Sequence, residues 1–317
     1  MKVLLLGYSS IARRRVIPAL QRLGVRDLDV ASVSSDLSGA HEGFEGRKFH
    51  NYEDALSASN AQLVYISTTN HLHAPLAALS LRRGFHTVVD KPACLSLKEA
   101  QGLAELSRSA GRCIAEATVY SYHPQVLTAV DLCQGRATRL LAVFSIPPLP
   151  SSNHRYRTDL AGGADLDMGP YALTPARLFF GSHSLEIEGR VLSEHEGAIT
   201  SFSLLSLHPK GRCLTGVFGF TTAYVNQLQI LGPDLVIEMD RVFSPPADLV
   251  LELSVREKDR VKSVDIAPAD SFERFLKTVF LSIVCGEFER FRETMLFDAV
   301  ELDALRSALN RCRQPAP

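Results

Sequence analysis

The sequence lacks tryptophan, has only four methionines, and contains no apolar run that approaches the roughly 20 residues of a membrane-spanning helix. The apolar stretch at the amino end stops at Gly7, and three arginines follow at 13–15. Charged side chains balance to a net charge of -1, which gives no electrostatic attraction for nucleic acid or an anionic membrane surface. We therefore expect neither kind of partner.

The cysteines are scattered along the chain, and their spacing excludes two common kinds of site. The chain has six cysteines, none of them in a Cys-x-x-Cys pair or in a cluster with histidine. This pattern predicts neither a zinc site nor a disulfide framework, so no metal is expected. Free thiols are typical of a reducing compartment, and we expect a cytoplasmic protein.

Strand and helix patterns alternate through the first part of the chain. Apolar runs such as Val3–Leu6 and Leu63–Ser67 are each followed by apolar residues at helical spacing. Repeated units of this kind predict a doubly wound parallel sheet, the α/β Rossmann architecture, over residues 1–120. From 185 to 266 period-2 runs predict a large, mostly antiparallel open sheet, so residues 121–317 are expected to form an α+β domain.

A glycine turn lies between the first strand pattern and the first helix pattern. Gly7-Tyr8-Ser9-Ser10-Ile11 has small residues where a dinucleotide fold brings backbone N–H groups and a helix N-terminus to the pyrophosphate. Ser9 stands where such turns usually have a second glycine, and its hydroxyl could donate a hydrogen bond to phosphate. The motif alone also fits an ordinary strand-to-helix turn, so it leaves nucleotide binding open.

The end of the second strand bears on the choice of cofactor. NAD-preferring proteins usually carry a carboxylate there, but this chain has Ser34 and Ser35, and the first acid is Asp36. Arg13 or Arg14 could contact a 2′-phosphate, which favours NADP and leaves NAD possible. The alternative is that these arginines only face solvent.

The loop after the third strand of the parallel sheet begins Thr68-Thr69-Asn70. It is expected at the carboxyl edge of the sheet, where doubly wound folds bind their ligands. Asn70 could therefore hydrogen-bond a ribose or nicotinamide group. Capping of the following helix explains this asparagine equally well.

Taken in order, these motifs resemble the Gfo/Idh/MocA family of oxidoreductases over nearly the whole chain. The resemblance rests on the glycine turn with Ser10-Ile11-Ala12, Pro18-Ala19-Leu20, Ser67-Thr68-Thr69-Asn70 with His73, Asp90-Lys91-Pro92, and Gly162-Gly163 through Tyr171. The family usually has glutamate at the place of Asp90 and glycine at the place of Ser9. With the loops above, the resemblance assigns cofactor binding to Gly7, Ser9, Ser10, Ile11, Arg13, Ser34, Ser35, Thr68, Asn70, His73, Asp90 and Lys91.

A narrower resemblance concerns the substrate. Three segments are similar to family members that act on sugars, some of them nucleotide-sugar ketoreductases: Tyr122-His123-Pro124-Gln125, Asn153-His154-Arg155-Tyr156-Arg157 and Arg241-Val242-Phe243-Ser244-Pro245-Pro246. A small sugar-like substrate is therefore expected. An open sheet needs its exposed face covered, and relatives pair through that face, so we also expect a homodimer or homotetramer.

The expected chemistry is hydride transfer, at a site assembled between the two domains, to or from a carbonyl carbon whose oxygen must be stabilised and protonated. We predict Tyr171 as the general acid, Lys91 as the cation that favours its proton exchange, and Asp167 as the group that orients it. Asp167 and Tyr171 would share one helix face at i and i+4, although Pro170 disturbs that spacing. A buried structural tyrosine, a helix-start carboxylate and a surface lysine are the respective alternatives.

Other polar residues are candidates for substrate contacts. Arg155 and Arg157 could hold a phosphate by paired hydrogen bonds, or they could be surface loop charges. His123 and His154 could line the substrate pocket, or they could be structural histidines. Three other functions also stay open: a dehydrogenase of free sugars or inositols, a nucleotide-binding regulator without activity, and, on fold alone, a methyltransferase.

Overall fold

The computed structural model describes residues 1–34, 36–40 and 43–313. The chain groups into two compact units. The first consists of Met1–Thr118 and Phe272–Ala299, and the second consists of Val119–Ser271 and the chain from Val300 onwards.

A parallel sheet forms the centre of the first unit. Its strands, within the described residues, are β1 (Val3–Leu6), β2 (Leu28–Ala31), β3 (Lys48–Phe49), β4 (Leu63–Ile66), β5 (His86–Asp90) and β6 (Ile114–Ala117). All neighbours are parallel, and the order is β3-β2-β1-β4-β5-β6, the order of dinucleotide-binding folds. The doubly wound parallel sheet predicted from the sequence is confirmed. The strand order reverses direction between β1 and β4, which is where such folds bind ligands.

Helices connect these strands. The first begins as a π-helical turn, Ala12–Val16, and continues as α1 (Ile17–Arg22); it is followed by α2 (Tyr52–Ala58), α3 (His73–Arg82) and α4 (Leu97–Ala110). The ends of α4 show why the sequence folds this way. Ser96 Oγ accepts the Glu99 N–H at 3.2 Å, and Gly111 ends the helix at a φ of 61°.

A second, mostly antiparallel sheet dominates the second unit. In the part of the chain that the structure describes, its strands are β7 (Arg139–Ser145), β8 (Glu186–His195), β9 (Ala198–His208), β10 (Arg212–Gly219), β11 (Val225–Leu231), β12 (Leu235–Asp240), β13 (Leu251–Glu257) and β14 (Arg260–Ile266). The order is β14-β13-β12-β11-β7-β10-β9-β8, with β7 and β10 as a parallel pair. The predicted open antiparallel sheet is confirmed.

The remaining helices are α5 (Pro124–Cys133), α6 (Ala164–Asp167), α7 (Gly169–Phe180), α8 (Ser271–Cys285) and α9 (Glu289–Arg313). A single boundary near residue 120 would place α8 and α9 in the second domain, but the structure groups 272–299 with the first unit. The reason is apolar packing, because Met295 and Ala299 of α9 belong to the same buried cluster as Leu4 and Leu103. No helix of the described residues is both long enough and apolar enough to span a membrane.

Candidate active site

The glycine turn lies directly after β1, against the end of β4. Gly7 has a φ of +93°, in the left-handed region, and a Cβ at this position would overlap the carbonyl group of Ser67. Its N–H donates to the Ala31 carbonyl at 2.8 Å. Only glycine therefore fits here, and it lets the turn pack closely against the end of β4, where the strand order reverses.

A chain of hydrogen bonds runs from this turn to the end of β5. Ser9 Oγ accepts the Ala12 N–H at 3.0 Å and lies 2.7 Å from Ser67 Oγ. Ser67 Oγ donates to Asp90 Oδ2 at 2.6 Å, and the Tyr65 hydroxyl donates to Asp90 Oδ1 at 2.7 Å. Burial, reinforced by the Asp90 charge, raises the pKa of Tyr65 well above its ordinary value, so this phenol keeps its proton.

The direction of these bonds bears on the expected role of Ser9. The Ser67 proton is used by Asp90, so the bond between the two serines takes its proton from Ser9. The Ser9 hydroxyl therefore has no proton left to donate to a phosphate while this chain is intact. Its oxygen instead caps the helix that begins with the turn.

His73 joins two loops at the same edge of the sheet. Its Nδ1 lies 2.8 Å from the Pro92 carbonyl oxygen, and its Nε2 lies 3.1 Å from that of Thr68. Burial lowers the pKa of His73, although both carbonyls favour the protonated ring. The imidazole holds the segment after β5, which contains Lys91 and its cis peptide bond to Pro92, beside the loop after β4. Lys91 itself is half-buried.

The end of β2 carries the residues predicted to select the cofactor. Ser34 is exposed beyond the end of the strand, and Ser35 lies outside the described residues. Asp36 accepts two hydrogen bonds from Ser38, from the N–H at 2.9 Å and from the hydroxyl at 2.7 Å. Arg13 is exposed, and its guanidinium carbon lies 5.5 Å from the centre of the Tyr8 ring.

Two predicted cofactor residues begin short helical segments. Ser10, exposed, and Ile11, half-buried, open the first helix directly before its π-helical turn. Asn70 begins a short 3₁₀ turn, Asn70–Leu72, that leads into α3. Their positions at strand-to-helix connections match the places that the sequence indicates.

In the second unit, Tyr171 lies in the first turn of α7 within a group of aromatic rings. Its ring centre is 5.1 Å from that of Phe144 and 5.7 Å from those of Tyr120 and Phe243. Tyr120, Phe144 and Phe243 are buried, and Tyr171 is half-buried. These contacts fix the plane of the Tyr171 ring and leave part of the side chain accessible.

Asp167 is paired with Arg155. Arg155 Nε donates to Asp167 Oδ2 at 2.8 Å, and the Asp167 charge raises the pKa of Arg155 against the effect of burial. A smaller contribution in the same direction comes from Tyr171. Gly162 makes this pairing possible, because a side chain there would overlap the carbonyl groups of the loop that contains Arg155.

Asp167 and Tyr171 do not lie in one continuous helix, although the i and i+4 spacing assumed that they would. Asp167 ends α6, Met168 joins the two helices, and Tyr171 belongs to α7. Pro170 explains the break because it has no N–H to donate to the carbonyl four residues earlier. The hydrogen bond from Arg155 fixes the orientation of Asp167, and the role of Asp167 in orienting Tyr171 stays a prediction.

The other predicted substrate residues have different surroundings. His154 is exposed, and exposed Arg157 makes a two-bond pair with Asp159. His123 is fully buried, and its Nδ1 accepts the Gln125 N–H at 3.1 Å, which caps α5. This cap is the structural role that the sequence left as its alternative.

The sequence assigned Phe243 no role of its own and did not indicate the residue that holds it, Asn226. Asn226 is buried and its Oδ1 accepts the Phe243 N–H at 2.9 Å, while its Nδ2 donates to Tyr224 and Ser244 at 3.1 and 3.0 Å. Arg241, two residues before Phe243, has a φ of 53°. The segment 241–246 was noted for its resemblance, but nothing in the sequence linked it to Asn226. Among the described residues, no group of His, Cys, Asp or Glu side chains could hold a metal ion.

Comparison with known proteins agrees with this geometry. Residues 1–118 match the oxidoreductase family with an NAD-binding Rossmann fold, Gfo/Idh/MocA. The chain is 30% identical over 288 residues to a dTDP-3,4-didehydro-2,6-dideoxy-alpha-D-glucose 3-reductase of Streptomyces antibioticus, covering 88% of this chain and 87% of that protein. It is 27% identical over 300 residues to D-xylose 1-dehydrogenase (NADP(+)) 2 of Haloferax volcanii, covering 90% of each.

A solved structure is also similar over nearly the whole chain. The 3-ketoreductase KijD10 of Actinomadura kijaniata, in complex with NADP and TDP-benzene, has a TM-score of 0.90 and 27% identity, with 98% of each chain covered. The chain therefore belongs to the Gfo/Idh/MocA family and is an oxidoreductase with an NAD-binding Rossmann fold. The resemblance inferred from the motifs is confirmed.

Proposed function

We propose that this protein is an NADP-dependent reductase of a keto group on a nucleotide-linked sugar. The observation that carries the proposal is the arrangement at one edge of the parallel sheet, where the Gly7 turn and the Lys91 segment are joined through Ser67 and Asp90. Relatives named as dTDP-sugar 3-reductases support the substrate class, and the KijD10 complex supports the cofactor.

The residues of the first unit fit a dinucleotide. Gly7 lets the turn pack directly against the Ser67 backbone, and the Ala12 and Arg13 N–H groups are already bonded to Ser9. We assign the pyrophosphate contacts to the N–H groups of Ser10 and Ile11, at the start of the helix. The other predicted cofactor residues, Thr68, Asn70 and His73, lie in the loop at the same edge or begin the helix that follows it.

The end of β2 supports NADP over NAD. The exposed Ser34 offers a hydroxyl to a 2′-phosphate, and exposed Arg13 offers a positive charge. Asp36, the first carboxylate after the strand, is already bonded to both groups of Ser38, so it is not presented to ribose hydroxyls. NAD stays the less favoured cofactor.

Each catalytic residue has a proposed task. The bound cofactor supplies the hydride. Tyr171 gives a proton to the substrate oxygen as negative charge builds there, and the Lys91 ammonium stabilises both that charge and the phenolate that Tyr171 becomes, so that the phenol gives up its proton more readily. Asp167 is held in place by its ion pair with Arg155, and its task is to orient the Tyr171 phenol. The aromatic rings around Tyr171 keep its hydroxyl in one direction. The shared action of Lys91 and Tyr171 is a prediction that mutagenesis must test.

The substrate would contact the second unit. We propose that Arg155, Arg157 and His154 are the candidate groups, and that Arg157 is the best placed for a phosphate because it is exposed. His123 is fully buried and caps α5, so it is not among them. One observation favours a free sugar instead, since Arg155 and Arg157 already pair with carboxylates and need no phosphate for charge balance. A dehydrogenase of free sugars is therefore the second candidate.

The outer face of the second sheet supports self-association. Leu141, Leu207 and Val217 are exposed on neighbouring strands, and Val143 lies opposite Val217 in the register. We propose a homodimer or homotetramer that covers this face, in a cytoplasmic protein. Light scattering tests the assembly, and Val217→Lys is expected to produce monomers.

The central experiment measures cofactor and substrate together. NADPH and NADH are titrated while nicotinamide fluorescence is followed. Turnover is then measured in the reducing direction with NADPH and a dTDP-linked ketosugar, and in the oxidising direction with NADP⁺ and free D-xylose. Tighter binding of NADPH and turnover of the nucleotide sugar are the expected results. Turnover of only the free sugar would select the second candidate. Cofactor binding without any turnover would favour a regulator, and binding of neither cofactor would end the proposal.

A further inference from the structure

Three side chains connect the cofactor turn to the strand end that precedes Lys91. Ser9 follows β1, Ser67 follows β4 and Asp90 ends β5, and the hydrogen bonds between them are 2.7 and 2.6 Å long. Ser67 is buried, and it is the only member that contacts both of the others within the described residues. A single hydroxyl group, that of Ser67, therefore links the turn after β1 to the end of β5.

The chain has one direction. A carboxylate accepts hydrogen bonds and does not donate them, so Tyr65 and Ser67 both donate to Asp90. The Ser67 oxygen then accepts from Ser9, and the Ser9 oxygen accepts from the Ala12 N–H. Asp90 therefore determines which way the Ser9 hydroxyl points.

The consequence concerns the N–H groups at the start of the helix. Because Ser9 binds the Ala12 N–H through its side chain and the Arg13 N–H through its carbonyl, its position sets the path of the backbone between them. Ser10 and Ile11 lie on that path. Without the Ser67 hydroxyl, the Ser9 side chain could rotate. The Ser9 proton and the backbone N–H groups of Ser10 and Ile11 would then lose their fixed directions.

We propose that Ser67 is a positioning residue for pyrophosphate binding, which acts through Ser9 and is itself oriented by Asp90. It does not touch the cofactor; it holds Ser9 so that the N–H groups of Ser10 and Ile11 face the pyrophosphate. This inference rests on the proposed function as an NADP-dependent enzyme. The inference goes beyond that function because it assigns the conformation of the glycine turn to a buried hydroxyl group outside the turn.

The test compares two ligands that differ in the pyrophosphate. NADPH contains it, whereas 2′-AMP has the adenosine and the 2′-phosphate and no phosphate at the 5′ position. For Ser67→Ala we expect the NADPH Kd to rise about tenfold, the effect of one good hydrogen bond, and the 2′-AMP Kd to change less than about twofold. Fluorescence titration and calorimetry measure the two constants.

Two further variants complete the test. Ser9→Ala should match Ser67→Ala in its selective loss, and the double variant should lose no more than the weaker-binding single variant, because both changes break one chain. Ser80→Ala is the matched control. Ser80 is another fully buried serine of the first unit, whose hydroxyl donates to the Leu76 carbonyl inside α3, and its replacement should leave both constants unchanged.

Several results would overturn the inference. Equal losses for NADPH and 2′-AMP would show a general structural role, and additive losses in the double variant would show that the two serines act independently. An NADPH affinity of Ser67→Ala equal to that of Ser80→Ala would also contradict it, while leaving the proposed function intact. If the unaltered protein bound neither NADPH nor NADH, the proposed function would fail and this inference with it.

Discussion

Arg155 Nε and Asp167 Oδ2 are joined by a hydrogen bond of 2.8 Å that links the loop after β7 to the end of α6. The carboxylate is largely buried, with 16% of its side chain exposed, and the guanidinium is 31% exposed. The pair therefore differs from the neighbouring pair of Arg157 and Asp159, in which both side chains are 59% exposed. The same two residue types, a few positions apart, lie in different electrostatic environments.

Replacing Arg155 by methionine should weaken both stability and turnover. Asp167 would keep its buried position but lose its charged partner, at a cost of about 1–3 kcal/mol in the free energy of unfolding. Arg157→Met is the matched control and should cost less than about 1 kcal/mol, because its pair is exposed to solvent. Urea unfolding measures the change in stability of each variant, and kcat measures the change in turnover. Equal losses in the two variants would contradict the role assigned to the Arg155 pair.

The sequence predicted the fold well because the fold follows from periodicity. Parallel strands place their carboxyl ends at one edge, so Gly7, Thr68 and Lys91 could be grouped from their positions after strand patterns alone. The direction of the Ser9 hydroxyl was missed because it depends on Ser67, 58 residues away. A local motif does not contain such information.

In the second unit the sequence identified residues but not their partners. The contact of Arg155 with Asp167 required the packing of a loop against Gly162, and the contact of Tyr171 with Phe243 required strands distant in the chain. The grouping of 272–299 with the first unit was missed for the same reason. An amphipathic helix shows that it has an apolar face and does not show what covers that face.

Removal of the proposed acid and of its cation should reduce the rate without abolishing cofactor binding. For Tyr171→Phe and for Lys91→Met, kcat is expected to fall by about 10²–10⁴-fold, the usual contribution of a positioned proton donor. The NADPH affinity of Tyr171→Phe should stay within about twofold of the original, since a hydroxyl alone is lost. Undiminished turnover in both variants would disprove the catalytic assignment.

A carboxylate at the end of β2 should reverse the cofactor preference. Ser34→Asp places a negative charge where we assign the 2′-phosphate, so the NADPH Kd is expected to rise about tenfold. NADH should bind more tightly, because the new carboxylate can accept bonds from ribose hydroxyls. Ser109→Asp, at an exposed serine of α4, controls for added charge. An unchanged ratio of the two affinities would remove Ser34 from the cofactor site.

Stability should depend on pH through His86. Burial, with a contribution from Arg112, lowers the pKa of His86 from 6.5 to about 4, and its Nδ1 accepts the Cys113 N–H at 3.0 Å. Between these two values the unfolded chain binds a proton that the folded chain does not, so stability is fully present above pH 6.5 and is lost as the pH falls towards 4.

His86→Asn keeps an acceptor for the Cys113 N–H and removes the titrating group. The free energy of unfolding, measured in urea at several pH values, should therefore depend less on pH in this variant than in the original protein. His50→Asn, at an exposed histidine of the same unit, is the control. Parallel pH profiles for the original protein and His86→Asn would show that His86 is not responsible.

Asn226 should influence turnover through Phe243, although neither residue is assigned a contact with substrate. Asn226→Ala removes the acceptor of the Phe243 N–H and the donor to Ser244, at a cost of about 1–3 kcal/mol in stability. Because Phe243 packs against Tyr171, kcat should fall while the NADPH Kd stays unchanged. Gln227→Ala, at the exposed neighbour whose amide bonds to Asp240, controls for loss of an amide in β11. A variant that lost stability but kept its full kcat at a temperature where it is folded would show that the aromatic packing around Tyr171 does not depend on Asn226.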